Sequence, residues 1–249
     1  MIKLILFLVS ISLFASAKSE GPNFSTTENG CLIYTNLADR KETQVFGENC
    51  SVRSPPCSTF KIALAEIAFK NKKIDVKGEY FKWDGKKRDR DALNKDQDLR
   101  SWMRDSVVWV SSLIVDRVTR DRIQLQLSEL KYGNALVGLE EFWIKGPLAI
   151  SVEEQIQYLS RQSQNENLLK ALQLLPIERI GSFEVSGKTG SCFLGGSKNS
   201  SEIGWFVGTA KSPRGNYALA LRFINIKGQE TNGPAGLRAK TLFLEWISR

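Results

Sequence analysis

The order of structural signals along the chain restricts its fold more than any other feature. Strand-forming runs stand at both ends and helical periodicity fills the middle. Cys31-Leu32-Ile33-Tyr34-Thr35 and Thr43-Gln44-Val45-Phe46 are β-rich and joined by a polar turn over 36–41, which predicts a hairpin. Three more β-rich runs cover 182–188, 203–210 and 217–226, separated by Gly195-Gly196-Ser197 and Ser212-Pro213-Arg214-Gly215. Between the two strand regions, Phe60, Ala63, Leu64, Ile67 and Ala68 follow Pro55-Pro56 at helical spacing. They predict an amphipathic helix whose first turn holds Ser58 and Lys61. Residues 98–175 continue mostly helical, interrupted at Gly133, Gly138 and Gly146-Pro147, and a last helix covers 234–248. The class expected is α+β: an antiparallel sheet built from both chain ends with flanking helices, plus an inserted, mostly helical lobe. A cleft between sheet and lobe is the default place for a site.

Composition narrows the chemistry. The 249 residues, 42% hydrophobic and 25% charged, suit a soluble globular domain, but they include no histidine. That excludes a Ser-His-Asp triad, a Cys-His pair and any His-ligated metal. Lys, Tyr, Asp, Glu, Ser or Cys must move protons instead. The net charge of +8 bears on association rather than activity. The densest run, Lys86-Lys87-Arg88-Asp89-Arg90-Asp91, alternates sign in its second half and reads as a solvated connection. No nucleic-acid partner is expected.

The N-terminus sets the compartment. Met1-Ile2-Lys3, an apolar stretch over 4–14 and Ala15-Ser16-Ala17 have the layout of a secretory signal peptide cut after Ala17. Residues 18–249 are then a single exported domain, with a sheet part over 18–57 and 180–249 and a helical part over 58–179. The expected location is a bacterial periplasm, with no stable membrane association after cleavage. Export permits disulfides among Cys31, Cys50, Cys57 and Cys192, and three pairings remain open. A strand pair would bring Cys31 and Cys50 together.

Two motifs carry chemistry. In Ser58-Thr59-Phe60-Lys61 the hydroxyl and the amine lie one helical turn apart on one face, near a helix N-terminus. A lysine deprived of its charge by burial takes the part of histidine as base. A second match, Ser128-Glu129-Leu130-Lys131, falls at a helix end and lacks that context. Lys188-Thr189-Gly190 is the other motif. It mimics the end of a nucleotide-binding loop, but Gly181 stands one residue too far from Gly187 and the segment reads as strand. As an edge strand it offers a cation and a hydroxyl to an anionic substrate, with Gly190 allowing close backbone approach. Ser106-Val107-Val108 and Tyr132-Gly133-Asn134 lie between them.

Ser-x-x-Lys, Ser-x-Val, Tyr-Gly-Asn and Lys-Thr-Gly in this order resemble the class D (oxacillinase-type) serine β-lactamases. Pro56–Ile62, Trp83-Asp84-Gly85, the segment 141–151 and Gly236-Leu237-Arg238-Ala239 resemble further segments of that family. The resemblance implies hydrolysis of penicillin-type β-lactams through a Ser58 acyl-enzyme, with Lys61, carboxylated by CO2, as base and no metal. It implies that Ser106 and Lys188 move the proton to the leaving nitrogen and that Trp143 holds the carbamate. The backbone of Ser58 and Ser191 would bind the oxyanion, and Thr189 and Arg238 the substrate carboxylate. Val108, Tyr132 and Ile144 would line the cleft. Ile144 stands where the family commonly has leucine, which bears on water access, and Glu140 and Glu141 lack the spacing of the glutamate base of class A enzymes. The competing readings are a penicillin sensor that stays acylated and a transpeptidase. Substrate range and oligomeric state are not legible.

Overall fold

Strand β8 (Gly215–Asn225) explains the layering. Its run Tyr217-Ala218-Leu219-Ala220-Leu221 alternates large and small side chains, and both faces are buried. Tyr217, Leu219 and Leu221 point to one core, and Ala218 and Ala220 to the other, where the small side chains let a helix approach closely. In the computed structural model, which describes residues 20–39, 42–229 and 231–249, β8 lies inside a six-stranded sheet. The strands are β1 (Glu28–Asn36), β2 (Thr43–Gly47), β5 (Ile177–Ile180), β6 (Phe183–Phe193), β7 (Glu202–Ser212) and β8, in the order β2-β1-β8-β7-β6-β5. Every pairing is antiparallel. The predicted α+β class, with a sheet drawn from both chain ends, is the observed one. The expected signal segment lies outside the described residues.

One face of the sheet is covered by α8 (Ala235–Ile247), whose Leu242, Phe243 and Trp246 join Tyr34 and Phe206 in a core of their own. The other face meets α6 (Val152–Arg161), and beyond it lie α1 (Phe60–Lys70), α2 (Leu99–Arg104), α3 (Val108–Val118), α4 (Arg120–Leu130), α5 (Phe142–Lys145) and α7 (Glu166–Leu172). A two-stranded ladder of β3 (Tyr80–Phe81) and β4 (Gln97–Asp98) closes the loop between them. Helices α2 and α6 start on capping boxes, Asp98 with Ser101 and Ser151 with Glu154.

The structure differs from expectation at α1. This helix is not amphipathic: every residue of Phe60–Phe69 is buried, Lys61 and Glu66 included. It is enclosed by α3, α4 and α7, so it has no solvent face for periodicity to reveal. The cysteines form two bonds, Cys31–Cys50 and Cys57–Cys192, with Cα atoms 5.4 and 5.7 Å apart.

Candidate active site

The sheet pins the segment that delivers Ser58. Arg222, buried on β8, donates to the carbonyls of Asn49 (2.8 Å) and Val52, and the Trp205 indole donates to Pro55 (2.9 Å). Ser54 pairs with Ile150 through two backbone hydrogen bonds. The chain then turns at Cys57, whose φ of 50° is unusual for a residue with a side chain. A 3-10 turn, Cys57–Thr59, runs directly into α1. Thr59 Oγ1 donates to the Pro56 carbonyl at 2.6 Å and accepts from Gln155 Nε2 of α6 at 3.3 Å. Ser58 is thus held at a helix start by a disulfide on one side and a capped threonine on the other.

One turn on, Lys61 is fully buried, and its Nζ has no hydrogen-bond partner among the described residues. Burial lowers its proton affinity well below that of an ordinary lysine; the charges of Lys188 and Arg90 act the same way and Glu141 opposes them. The Trp143 indole Nε1 is likewise buried without a partner, and its ring stacks on Phe60 with centroids 5.6 Å apart. Trp143 and the half-buried Ile144 belong to α5, which packs on both the Ser58 turn and β6.

Strand β6 forms the opposite wall. Strand β5 pairs only with its first four residues, so Lys188 onward is a free edge. Side chains alternate, placing Lys188, Gly190 and Cys192 on the face that carries the bond to Cys57. A Cβ at Gly190 would lie 3.1 Å from the Pro56 carbonyl oxygen and 3.2 Å from Cys57 Cβ. On its other side, a Cβ at Gly236 of α8 would lie 2.7 Å from the Gly190 oxygen. Gly190 is therefore clamped between the nucleophile turn and a helix. Burial and then the Arg90 charge bring the Lys188 pKa down to about 7, and its Nζ donates to the Thr189 carbonyl at 3.0 Å. Ser106 is half-buried between α2 and α3 with φ of 59°, and Val108 opens α3. Helix α3 packs on α1, and the Ser58 turn itself packs on β6 and α5.

The family model of the penicillin-binding protein transpeptidase domain matches residues 24–176. β-Lactamase OXA-1 of Escherichia coli is 30% identical over 236 residues, covering 85% of this chain and 84% of that protein. The chain belongs to the class D β-lactamase family. Among solved structures, the class D β-lactamase FUS-1 (OXA-85) of Fusobacterium nucleatum subsp. polymorphum superposes with a TM-score of 0.78 at 27% identity, covering 88% of this chain and 91% of that one. The regulatory protein BlaR1 of Staphylococcus aureus is also similar, 29% identical over 88% of this chain but only 36% of its own length.

In this serine β-lactamase two of the residues expected at the cleft, Tyr132 and Arg238, have partners of their own. Tyr132 is 1% exposed; its ring packs edge-on against Tyr158, and its hydroxyl accepts from Gln155 at 3.2 Å. Burial raises its pKa, so it is a buttress beneath Thr59 rather than a cleft residue. Its neighbour Asn134 donates to the Pro147 carbonyl and accepts from Ala149, which fastens the loop that carries Trp143. Arg238 pairs with Glu28 at 3.1 Å and donates to the Asn23 carbonyl. Glu28 opens β1, three strands from β6, which is roughly 14 Å at ordinary strand spacing.

Sequence reasoning missed Gln155, Arg222 and Trp205. Each acts through carbonyls or hydroxyls far away in the chain, and no local spacing announces that. Two surface indentations, beside Tyr80 and Arg100 and beside Arg120, contain none of the site residues.

Proposed function

We propose that this enzyme hydrolyses the amide bond of penicillin-type β-lactams through an acyl-enzyme on Ser58, with the Lys61 side chain as base in both half-reactions. The observation that carries this reading is Lys61: an amine one turn from Ser58, wholly buried, without a hydrogen-bond partner among the described residues and with its proton affinity lowered by burial. Neutral amine is the form that accepts a serine proton or adds CO2. The orphaned Lys61 Nζ and Trp143 Nε1 fit a carbamate, which the indole N–H would hold. Carboxylation supplies a carboxylate oxygen as proton acceptor beside Ser58.

The chain's own groups do the rest. Ser58 Oγ bonds to the lactam carbonyl carbon, the ring C–N bond breaks, and the Ser58 proton passes to the Lys61 side chain. Ser106 Oγ gives a proton to the leaving nitrogen and is resupplied by Lys188, whose pKa near 7 suits both holding and yielding it. The backbone N–H groups of Ser58 and Ser191 stabilise the oxyanion. Ser191 Oγ accepts from Gly236 N–H at 2.8 Å, which fixes the strand that presents it. The Lys61 side chain yields the first proton to solvent, from which Lys188 is recharged; water then attacks the acyl carbon, its proton passing to the Lys61 side chain, and as the ester C–O bond breaks that proton moves on to Ser58 Oγ. Lys188 and Thr189 attract the substrate carboxylate, and Val108 and Ile144 form the apolar wall. Two disulfides suit export to the periplasm, where thiols oxidise.

A time course of chromogenic penicillin cleavage by the mature protein, with bicarbonate present, tests this. Sustained turnover that disappears in Lys61→Ala is expected. One equivalent consumed and then nothing would establish a BlaR1-like trap instead.

A further inference from the structure

Helix α1 is enclosed by apolar side chains of α3, α4 and α7, and such contacts are non-directional. Two directional contacts tie it to α6. Thr59, at its start, accepts from Gln155 at 3.3 Å, and Glu66 accepts from Tyr158 at 2.5 Å. Thr59 and Glu66, seven positions apart, share one face of the helix, as Gln155 and Tyr158, three apart, do on α6. Helix α6 belongs to the frame of the sheet. It packs on β1 and β8, starts on the Ser151–Glu154 capping box, and its Glu154 takes Arg53 Nε at 3.0 and 2.9 Å.

The count of protons decides what can stand at position 155. Thr59 has one hydroxyl proton and gives it to the Pro56 carbonyl at 2.6 Å, an oxygen that also takes the Thr59 N–H at 3.1 Å. Towards α6 that hydroxyl can only accept. The Tyr132 hydroxyl accepts from the same Gln155 nitrogen at 3.2 Å. One NH2 group supplies both protons. A carboxylate of the same shape would set oxygen against oxygen at both places. The contact ends on Pro56, two residues before Ser58, and a Cβ at Gly190 of β6 would lie 3.1 Å from that same carbonyl oxygen. Gln155 therefore bears on the turn that presents Ser58 and on its spacing from the strand. At 1% exposure it touches no substrate itself.

We propose that Gln155 is a positioning residue for catalysis: through Thr59 it sets the place of the Ser58 hydroxyl and backbone N–H against the β6 edge, and with it the rate of acylation. The inference rests on the β-lactamase reading of Ser58. Its consequence is an effect on the limiting rate rather than on substrate binding, because the residue lies beneath the nucleophile and not in the cleft.

The test compares wild type, Gln155→Met, Gln155→Glu, Thr59→Val, the double variant Thr59→Val with Gln155→Met, and Tyr158→Phe. Each is followed in single-turnover acylation by a penicillin, read as the mass of the acyl-enzyme, and in urea unfolding. Gln155→Met is expected to lower the limiting rate about tenfold, with the half-saturating concentration held within about twofold. Gln155→Glu should lose at least as much. In the Thr59→Val background the further change to methionine should cost less than about twofold, since the contact is already gone. Tyr158→Phe breaks the other contact to α6 and should lower stability while leaving the acylation rate within about twofold. Unchanged rates in both Gln155 variants, a tenfold loss that persists in the Thr59→Val background, a loss carried by the half-saturating concentration, or an equal loss in Tyr158→Phe would each overturn the assignment. Should the Gln155 variants fail to fold, Thr59→Ser, which keeps the hydroxyl, is compared with Thr59→Val: the serine is expected near wild type and the valine about tenfold slower, and equal rates overturn the inference. Wild type that is not acylated overturns the reading of Ser58 and this inference with it.

Discussion

Consider removing the Cys57–Cys192 bond by replacing both cysteines with alanine, beside the same change at Cys31 and Cys50. The first bond spans 135 residues of sequence and the second 19. If a crosslink acts by restricting the unfolded chain, the closed-loop entropy gives roughly 5 kcal/mol for the long loop and roughly 3 kcal/mol for the short one. Three of the four cysteines are at most 6% exposed and Cys50 is 8%, so losses from emptied volume are similar and the difference of about 1.7 kcal/mol survives. Urea unfolding of both double variants, with equal slopes, measures it. The long-loop variant should also lose kcat/KM, because its bond joins the residue before Ser58 to the residue after Ser191. The short-loop variant should keep its catalytic rate. A short-loop variant that is destabilised as much as the long-loop one, or more, would refute the loop-entropy argument.

Other consequences are open to measurement. Lys188 is neutral in the folded protein above about pH 7 but takes up a proton when unfolded until about pH 10.4, so the unfolded state binds more protons in that window. Stability should therefore rise between pH 7.5 and 9.5 by up to ~1.4 kcal/mol per pH unit, and Lys188→Met should flatten the slope in urea titrations. Trp143→Phe keeps a ring against Phe60 but removes the indole N–H; turnover should drop at least about tenfold and recover partly with added bicarbonate, whereas rates indifferent to bicarbonate would count against the carbamate. Arg222→Leu removes a charged donor from the Asn49 and Val52 carbonyls and should cost about 2–4 kcal/mol in urea unfolding, while a loss below about 0.5 kcal/mol would mean the segment before Ser58 is held by other contacts.

What the sequence made legible follows from locality. The 31–46 hairpin, the three long C-terminal strands and the last helix each show their own period or turn chemistry; the sheet contains all of these strands and α8 covers one of its faces. Ser58 and Lys61 could be found because their spacing is one helical turn. The short strand β5 has too few residues for a pattern to emerge. The burial of α1 was hidden because its charged residues, Lys61 and Glu66, look like a solvent face. In the fold Glu66 instead accepts from the Tyr158 hydroxyl at 2.5 Å, and burial raises its pKa. The placements of Tyr132 and Arg238 depend on partners 23 and 210 residues away, Gln155 and Glu28, which no window along the chain could join.

The clamp on Gly190 bears on how such an enzyme can change under selection. A Cβ at Gly190 would lie 3.1–3.2 Å from Pro56, Cys57 and Thr59, so those neighbours would have to give, and one at Gly236 would lie 2.7 Å from the Gly190 oxygen, so strand or helix would have to shift. Mutational paths through Gly190 or Gly236 therefore carry a packing cost before any gain in substrate range. The surface left free to vary is the segment 83–96 and the turn 194–201, both largely exposed and both at the ends of rigid elements. Drug pressure on this lineage should thus leave its record in those two loops, with the glycines between them unaltered.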